Sequence, residues 1–210
     1  MRVITRSHGI YTANKHFWEW PADDTVCWSW LCKEPSLPQT IMEYVKDFSS
    51  VIMAGAHAGF YVKQYAQRFG LVYAIEPEPT NFYCLVQNVE ESNTIKIQAA
   101  LSDTVSVQKI GTQFPDNSGS PHVGDIGSPC VTLTIDSLIS KIPLSLIHLD
   151  IEGFEIFALK GGIDTITRDW PVIVLETLDP YPWRECEEYL LSIGYKVETR
   201  LPHDTIYMPI

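Results

Sequence analysis

Two short segments of this sequence concentrate the residue types that do chemistry. The first is Val51-Ile52-Met53-Ala54-Gly55-Ala56-His57-Ala58-Gly59-Phe60, an apolar run closed by a glycine-bracketed turn. Gly55 and Gly59 remove side chains where a ligand must approach the backbone. Ala56 and His57 lie between them, and a helix starting near Phe60 offers free N–H groups. Glu76 follows Gly55 by 21 residues, in Ile75-Glu76-Pro77. A carboxylate closing the next strand can accept both hydroxyls of a ribose. The G-x-G-x-x-G phosphate cradle is absent, which argues against NAD. The same turn also suits a helix merely packed on a sheet.

The second segment is Leu146-Ile147-His148-Leu149-Asp150-Ile151-Glu152-Gly153-Phe154-Glu155. Strand alternation places Leu146, His148, Asp150 and Glu152 on one side, roughly 6.6–7 Å apart in succession. Carboxylates at the C-terminal end of a strand sit where open α/β sheets bind ligands. Asp150 is the candidate for function. Glu152 serves equally well as a carboxylate placed ahead of a helix dipole, a contribution of about 0.3–1 kcal/mol.

These segments need a scaffold, and the sequence spells one out. The apolar runs Ser50–Ala54, Leu71–Ile75, Ile95–Ala100, Leu144–Leu149 and Val172–Leu175 read as strands. Helical spacing predicts helices over Phe60–Phe69, Thr80–Asn88, Phe154–Ile166 and Arg184–Ile193, with Gly70 and Gly194 as stops. Two closing strands, Tyr195–Thr199 and Thr205–Met208, have no helix between them and must pair antiparallel. The expected fold is α/β: a doubly wound, mostly parallel, seven-stranded sheet with a reversed edge strand. Residues 49–210 form that single domain. Residues 1–48, with Trp18, Trp20, Trp28 and Trp30, make an N-terminal extension packed on it as a lid or as core. Residues 111–129 are polar and turn-rich, and a loop of that length is a lid or a hairpin tip.

Composition narrows the partners. Fifteen Lys and Arg against twenty-six Asp and Glu give a formal charge of −11, which disfavours nucleic acid and anionic membrane. No apolar run approaches the ~18–20 residues of a membrane span. Arg2 and Arg6 precede no apolar signal region. The five cysteines (27, 32, 84, 130 and 186) are scattered without C-x-x-C spacing, as in a reduced chain. A cytoplasmic enzyme acting on a small molecule is expected.

Together the segments resemble the FkbM family of S-adenosylmethionine-dependent methyltransferases, of class I (Rossmann-like) fold. The resemblance runs from about Glu34 to the C-terminus. The family's D-x-G-A-N-x-G looks like Met53-Ala54-Gly55-Ala56-His57-Ala58-Gly59, and its F-E-P-x-P like Ile75-Glu76-Pro77-Glu78-Pro79. A-L-S-D stands at Ala100-Leu101-Ser102-Asp103, and K-x-D-x-E-G-x-E looks like residues 148–155. Val174-Leu175-Glu176 resembles the acid that ends the fifth strand.

The resemblance implies S-adenosylmethionine held by Gly55, Ala56, His57, Gly59, Glu76, Pro77, Ala100, Leu101, Ser102 and Asp150. Met53 replaces the first motif's acid, with Glu34 as candidate substitute, and His148 replaces the hallmark lysine. The expected reaction is O-methylation of a saccharide or other hydroxylated small molecule. Asp150 or His148 would act as base, or Asp150 and Glu176 would share a cation such as Mg²⁺. The alternative is a nucleoside-binding module that has lost transfer.

Overall fold

The computed structural model describes residues 1–8, 16–33, 35–112, 114, 116–139, 141–177 and 183–210. An antiparallel hairpin comes first, β1 (Val3–His8) with β2 (His16–Pro21), then short helices α1 (Cys27–Lys33) and α2 (Leu37–Met42). The body begins with β3 (Ser50–Ala54), α3 (Phe60–Tyr65), β4 (Leu71–Ile75), α4 (Pro79–Asn88) and β5 (Thr94–Ile97). Four strands follow, β6 (Ala100–Leu101), β7 (Ser106–Gly111), β8 (His122–Gly124) and β9 (Ser128–Leu133), and then α5 (Ile135–Leu138). The chain returns to the body with β10 (Leu146–Leu149), α6 (Glu155–Lys160), α7 (Ile163–Asp169) and β11 (Val172–Glu176). It closes with α8 (Trp183–Ser192), β12 (Tyr195–Arg200) and β13 (Asp204–Pro209).

The main sheet has seven strands in the order β12-β13-β11-β10-β3-β4-β5. Strands β5, β4, β3, β10 and β11 are mutually parallel. The runs of β4, β3, β10 and β11 are buried on both faces because helices cover both. Alternation sends Val51 and Met53 to a core shared with Val62 and Tyr65 of α3. Ile52 and Ala54 go to the opposite core, with Ile156 and Leu159 of α6 and Leu190 of α8. From β3 the chain winds outward to β5, and it returns on the other side at β10. The carboxyl ends of β3 and β10 therefore flank the topological switch point, the ligand crevice of open α/β sheets.

Four expectations are corrected. The reversed strand is β13, and it lies one in from the edge, antiparallel to both β11 and β12. The edge belongs to β12, whose Lys196, Glu198 and Arg200 suit a solvent-facing strand, whereas β13 is mostly buried. The third strand stops at Ile97, and Ala100–Leu101 pairs instead with β9. The 111–129 stretch contains β8 and the start of β9, in a second sheet ordered β6-β9-β7-β8. The helix expected over 154–166 is two helices, broken at Gly161-Gly162. A Cβ on Gly161 would lie 2.1 Å from the Ser102 carbonyl, so the close approach of these segments requires glycine there.

Candidate active site

At the switch point the backbone is held by close contacts. Gly55 has φ +79°, and a Cβ on it would lie 1.8 Å from the Asp150 carbonyl oxygen. Gly59, at φ +91°, faces Val89 and Leu85 behind α4 in the same way. The two glycines let the β3–α3 turn nest between β10 and α4, so Gly59 does not line the cavity. Asp150 N–H donates to the Ala54 carbonyl at 3.1 Å, which fixes the start of the next turn. In that turn Glu152 is left-handed (φ 57°), and the Glu155 carboxylate accepts from the N–H of Ile151 (3.1 Å) and Gly153 (3.3 Å).

Between these turns lies an open cleft of about 820 Å³, its solvent-filled mouth included. Its walls include Gly55, Ala56, His57, Glu76, Pro77, Ala100, Leu101 and Asp150, all expected from the sequence. Its apolar lining includes Pro77, Ala100, Leu101 and Ile110, and its polar lining Glu76. The Glu76 carboxylate is 4% exposed and accepts from the N–H of His57 (2.8 Å) and Glu78 (2.9 Å). Burial pushes its pKa up to about 7 despite those bonds. Asp150 and Glu152 also line the cavity, as do Tyr61 and Phe154. Oxygens of Asp150, Glu152 and Glu176 all lie within 4.8 Å of one another. Burial, then the crowding of these carboxylates, raises the pKa of both Asp150 and Glu176. Among the described residues no Lys or Arg lines the cavity.

Several expected residues sit elsewhere. His148 is 1% exposed, below the cavity floor. Its Nδ1 is 2.8 Å from the Tyr65 hydroxyl, its Nε2 is 3.7 Å from Asp204 Oδ1, and Tyr61 stacks on its ring. Alternation placed it on the side of Asp150 but one ladder step deeper, and it does not line the cavity, so the direct-base reading is corrected. Ser102 is buried behind the wall, with its hydroxyl toward Asp103. Glu176 belongs to the carboxylate cluster without lining the cavity. Glu34 lies outside the described residues.

Sequence reasoning named none of Asn81, Cys27, Leu31, Tyr61 and Phe154 as site residues, although all line the walls; Gly119, Pro121, His122 and Val123 line them too, from the 111–129 stretch read as a lid. Tyr61 and Asn81 had signals available, in the first turns of helices that follow the two candidate motifs. Cys27 and Leu31 had none, because only the tertiary fold brings α1 over the crevice. Met53 does line the cavity, at 1% exposure, among apolar neighbours. Met53→Asp is expected to destabilise the protein by about 2 kcal/mol or more, read from urea unfolding, because a carboxylate would be buried there without a partner. An unchanged midpoint would contradict this placement.

Residues 54–197 match the methyltransferase FkbM domain, a region that holds every lining residue of the cavity except Cys27, Leu31 and Met53. The chain belongs to the FkbM methyltransferase family. Among solved structures, the FkbM methyltransferase from Methylobacillus flagellatus KT is 19% identical, with TM-score 0.53 over 86% of this chain and 51% of that one. This chain thus spans about half the length of that protein. A precorrin 8w decarboxylase from Methanobacterium thermoautotrophicum gives TM-score 0.51 at 16% identity, covering 83% and 90% of the two chains. The T. thermophilus 16S rRNA methyltransferase RsmC, in complex with AdoMet and guanosine, gives 0.54 at 10% identity, covering 99% and 50%. At such identities these likenesses establish the fold, a class I methyltransferase architecture. No curated protein matches the chain in sequence. Among the described residues, no helix of this FkbM-family chain is long and apolar enough to cross a membrane.

Proposed function

We propose that this methyltransferase uses S-adenosylmethionine to methylate an oxygen of a small hydroxylated molecule, a saccharide being the leading class. The observation that carries the reading is that one cavity is lined by Glu76, by apolar residues and by Asp150 of a carboxylate cluster. The residues fit the cofactor. Glu76 presents lone pairs left over from its two backbone bonds to a ribose diol, and Pro77, Ala100, Leu101 and Ile110 suit an adenine face. When bound, S-adenosylmethionine supplies an activated methyl group. Carboxylates and the absence of Lys or Arg from the described walls suit its cationic end.

Asp150 is the base in this reading. Its crowding by Glu176 and Glu152 makes it a stronger proton acceptor than an isolated carboxylate, and it removes the acceptor's hydroxyl proton during or after attack. His148 holds the floor beneath it through Tyr65 and Asp204. The walls position the acceptor, and such positioning can supply roughly 7–11 kcal/mol of a barrier. A divalent ion shared by Asp150, Glu152 and Glu176 is the second reading, supported by their 4.8 Å grouping. Loss of transfer on chelation, restored by Mg²⁺, would select it. The −11 charge supports a small acceptor over RNA. The test is incubation with S-adenosylmethionine and a panel of polyols, sugars, amines and RNA, read by mass. A methyl added to a hydroxylated small molecule is expected; transfer only to RNA or to nitrogen would overturn the reading.

A pH effect follows from Glu76. A carboxyl whose folded pKa, about 7, exceeds its ordinary 4.5 penalises folding once ionised, so the ligand-free protein loses stability as pH rises from about 4.5 through 7. Hydroxyl donors favour the ionised form, so cofactor affinity rises over the same interval. Glu76→Gln is expected to flatten both trends in thermal melts with and without S-adenosylhomocysteine. Parallel pH profiles for wild type and Glu76→Gln would refute it.

A further inference from the structure

Two segments wall the cavity from outside the parallel sheet, and they are attached in different ways. The N-terminal strap is fixed by apolar packing: Trp18 and Trp20 are 1% and 0% exposed, in a cluster with Ala58, Phe60 and Cys84. Trp18 stacks on Phe60 at 5.3 Å between centroids. The turn at residues 116–121 lacks such anchorage. Its one buried residue is Ser120, and it contributes no side chain to an apolar core cluster. Yet Gly119 and Pro121 line the cavity.

Hydrogen bonds hold that turn, and one of them ties it to Asp24, which is 2% exposed. Asp24 Oδ2 accepts from Trp20 Nε1 (2.8 Å) and Trp28 N–H (3.0 Å), and Oδ1 from the N–H of Cys27 (3.0 Å) and Ser118 (3.2 Å). Thr25 N–H donates to the Asp116 carbonyl at 2.8 Å beside it. Ser118 continues the connection: its hydroxyl is 2.7 Å from His57 Nε2, and its carbonyl accepts from Asn81 Nδ2 at 2.8 Å. The His57 ring packs on Trp20 at 4.6 Å, and its backbone N–H is a donor to Glu76. Asp24, Ser118, His57 and Glu76 thus form one chain of contacts from the strap to the proposed ribose carboxylate.

We infer that residues 116–121 are a flap that opens to admit and release ligand, and that Asp24 and Ser118 are the positioning residues that latch it shut against His57. The division of labour gives the physical reason. Segments without buried apolar contacts open at low free energy, whereas the strap cannot leave without exposing two tryptophans. The flap is therefore the moving part and the strap its fixed jamb. The link with cofactor retention rests on the proposed S-adenosylmethionine site; the latch itself does not.

The experiment has two arms on Ser118→Ala, Asp24→Asn and the hydroxyl-retaining Ser118→Thr. In ligand-free protein, amide hydrogen exchange over residues 116–121 is expected to speed up about tenfold in Ser118→Ala and Asp24→Asn, with the main sheet unchanged and Ser118→Thr near wild type. Equal exchange in Ser118→Ala and wild type overturns the latch, whatever the cofactor. If Asp24→Asn fails to fold, the Ser118 pair decides alone. In the second arm, stopped-flow tryptophan fluorescence follows S-adenosylhomocysteine. Release is expected to accelerate about tenfold in Ser118→Ala with association little changed, a split that a general loss of stability does not produce. Wild type that binds, with release rates equal across variants, removes the coupling to retention. Wild type that does not bind overturns the cofactor reading and leaves the exchange result to judge the latch.

Discussion

Asp150→Asn is expected to lower the rate of methyl transfer by about 10²–10⁴-fold, the usual cost of losing a general base. Cofactor affinity should change far less, and stability should hold or rise. The carboxylate is crowded by Glu176 and Glu152 within a few ångströms, so replacing it with a neutral amide of the same shape relieves repulsion. Rate constants, affinity and melting temperature together separate this outcome from a folding defect. A variant that transfers at the wild-type rate, with no effect of chelator on either protein, would make the Asp150 charge structural.

The largest effect on stability is expected from Gly55→Ala. A Cβ there would overlap the Asp150 carbonyl oxygen at 1.8 Å, and the residue stands at φ +79°. Overpacking and the left-handed backbone act in the same direction, so a loss of about 3 kcal/mol or more is expected from denaturant midpoints. The clash lies between the two strands that flank the cavity, so relief would separate β3 from β10 and abolish ligand binding as well. A shift below about 1 kcal/mol would mean that the turn is not as tightly nested as the geometry requires.

The parallel body was legible because its strands are short, continuous apolar runs, and Glu76 and Asp150 were legible because each closes one of them. Depth was not legible. Strand alternation assigns His148 and Asp150 to one side, but only the packing of Tyr61 and Tyr65 decides that the first is covered and the second faces the cavity. The second sheet was hidden because β6 has two residues and β8 three, too short for a period to register. Reversal one strand in from the edge followed from pairing partners that a hairpin reading leaves open, although the charged alternation of β12 hinted at it. The roof was the least legible part. Asp24 and Ser118 meet across 94 residues of sequence, and each looks like an ordinary polar turn residue until the strap is folded against α3 and α4.

The central claim is that this cavity is an S-adenosylmethionine site whose ribose is held by Glu76, and calorimetric titration with S-adenosylhomocysteine tests it most directly. Wild type is expected to bind S-adenosylhomocysteine and to give no heat with NAD. Folded Glu76→Ala is expected to bind about 30-fold more weakly, which corresponds to the ~2 kcal/mol of a hydrogen bond to a charged group. A silent wild type, or a folded Glu76→Ala that binds as tightly as wild type, would contradict the account.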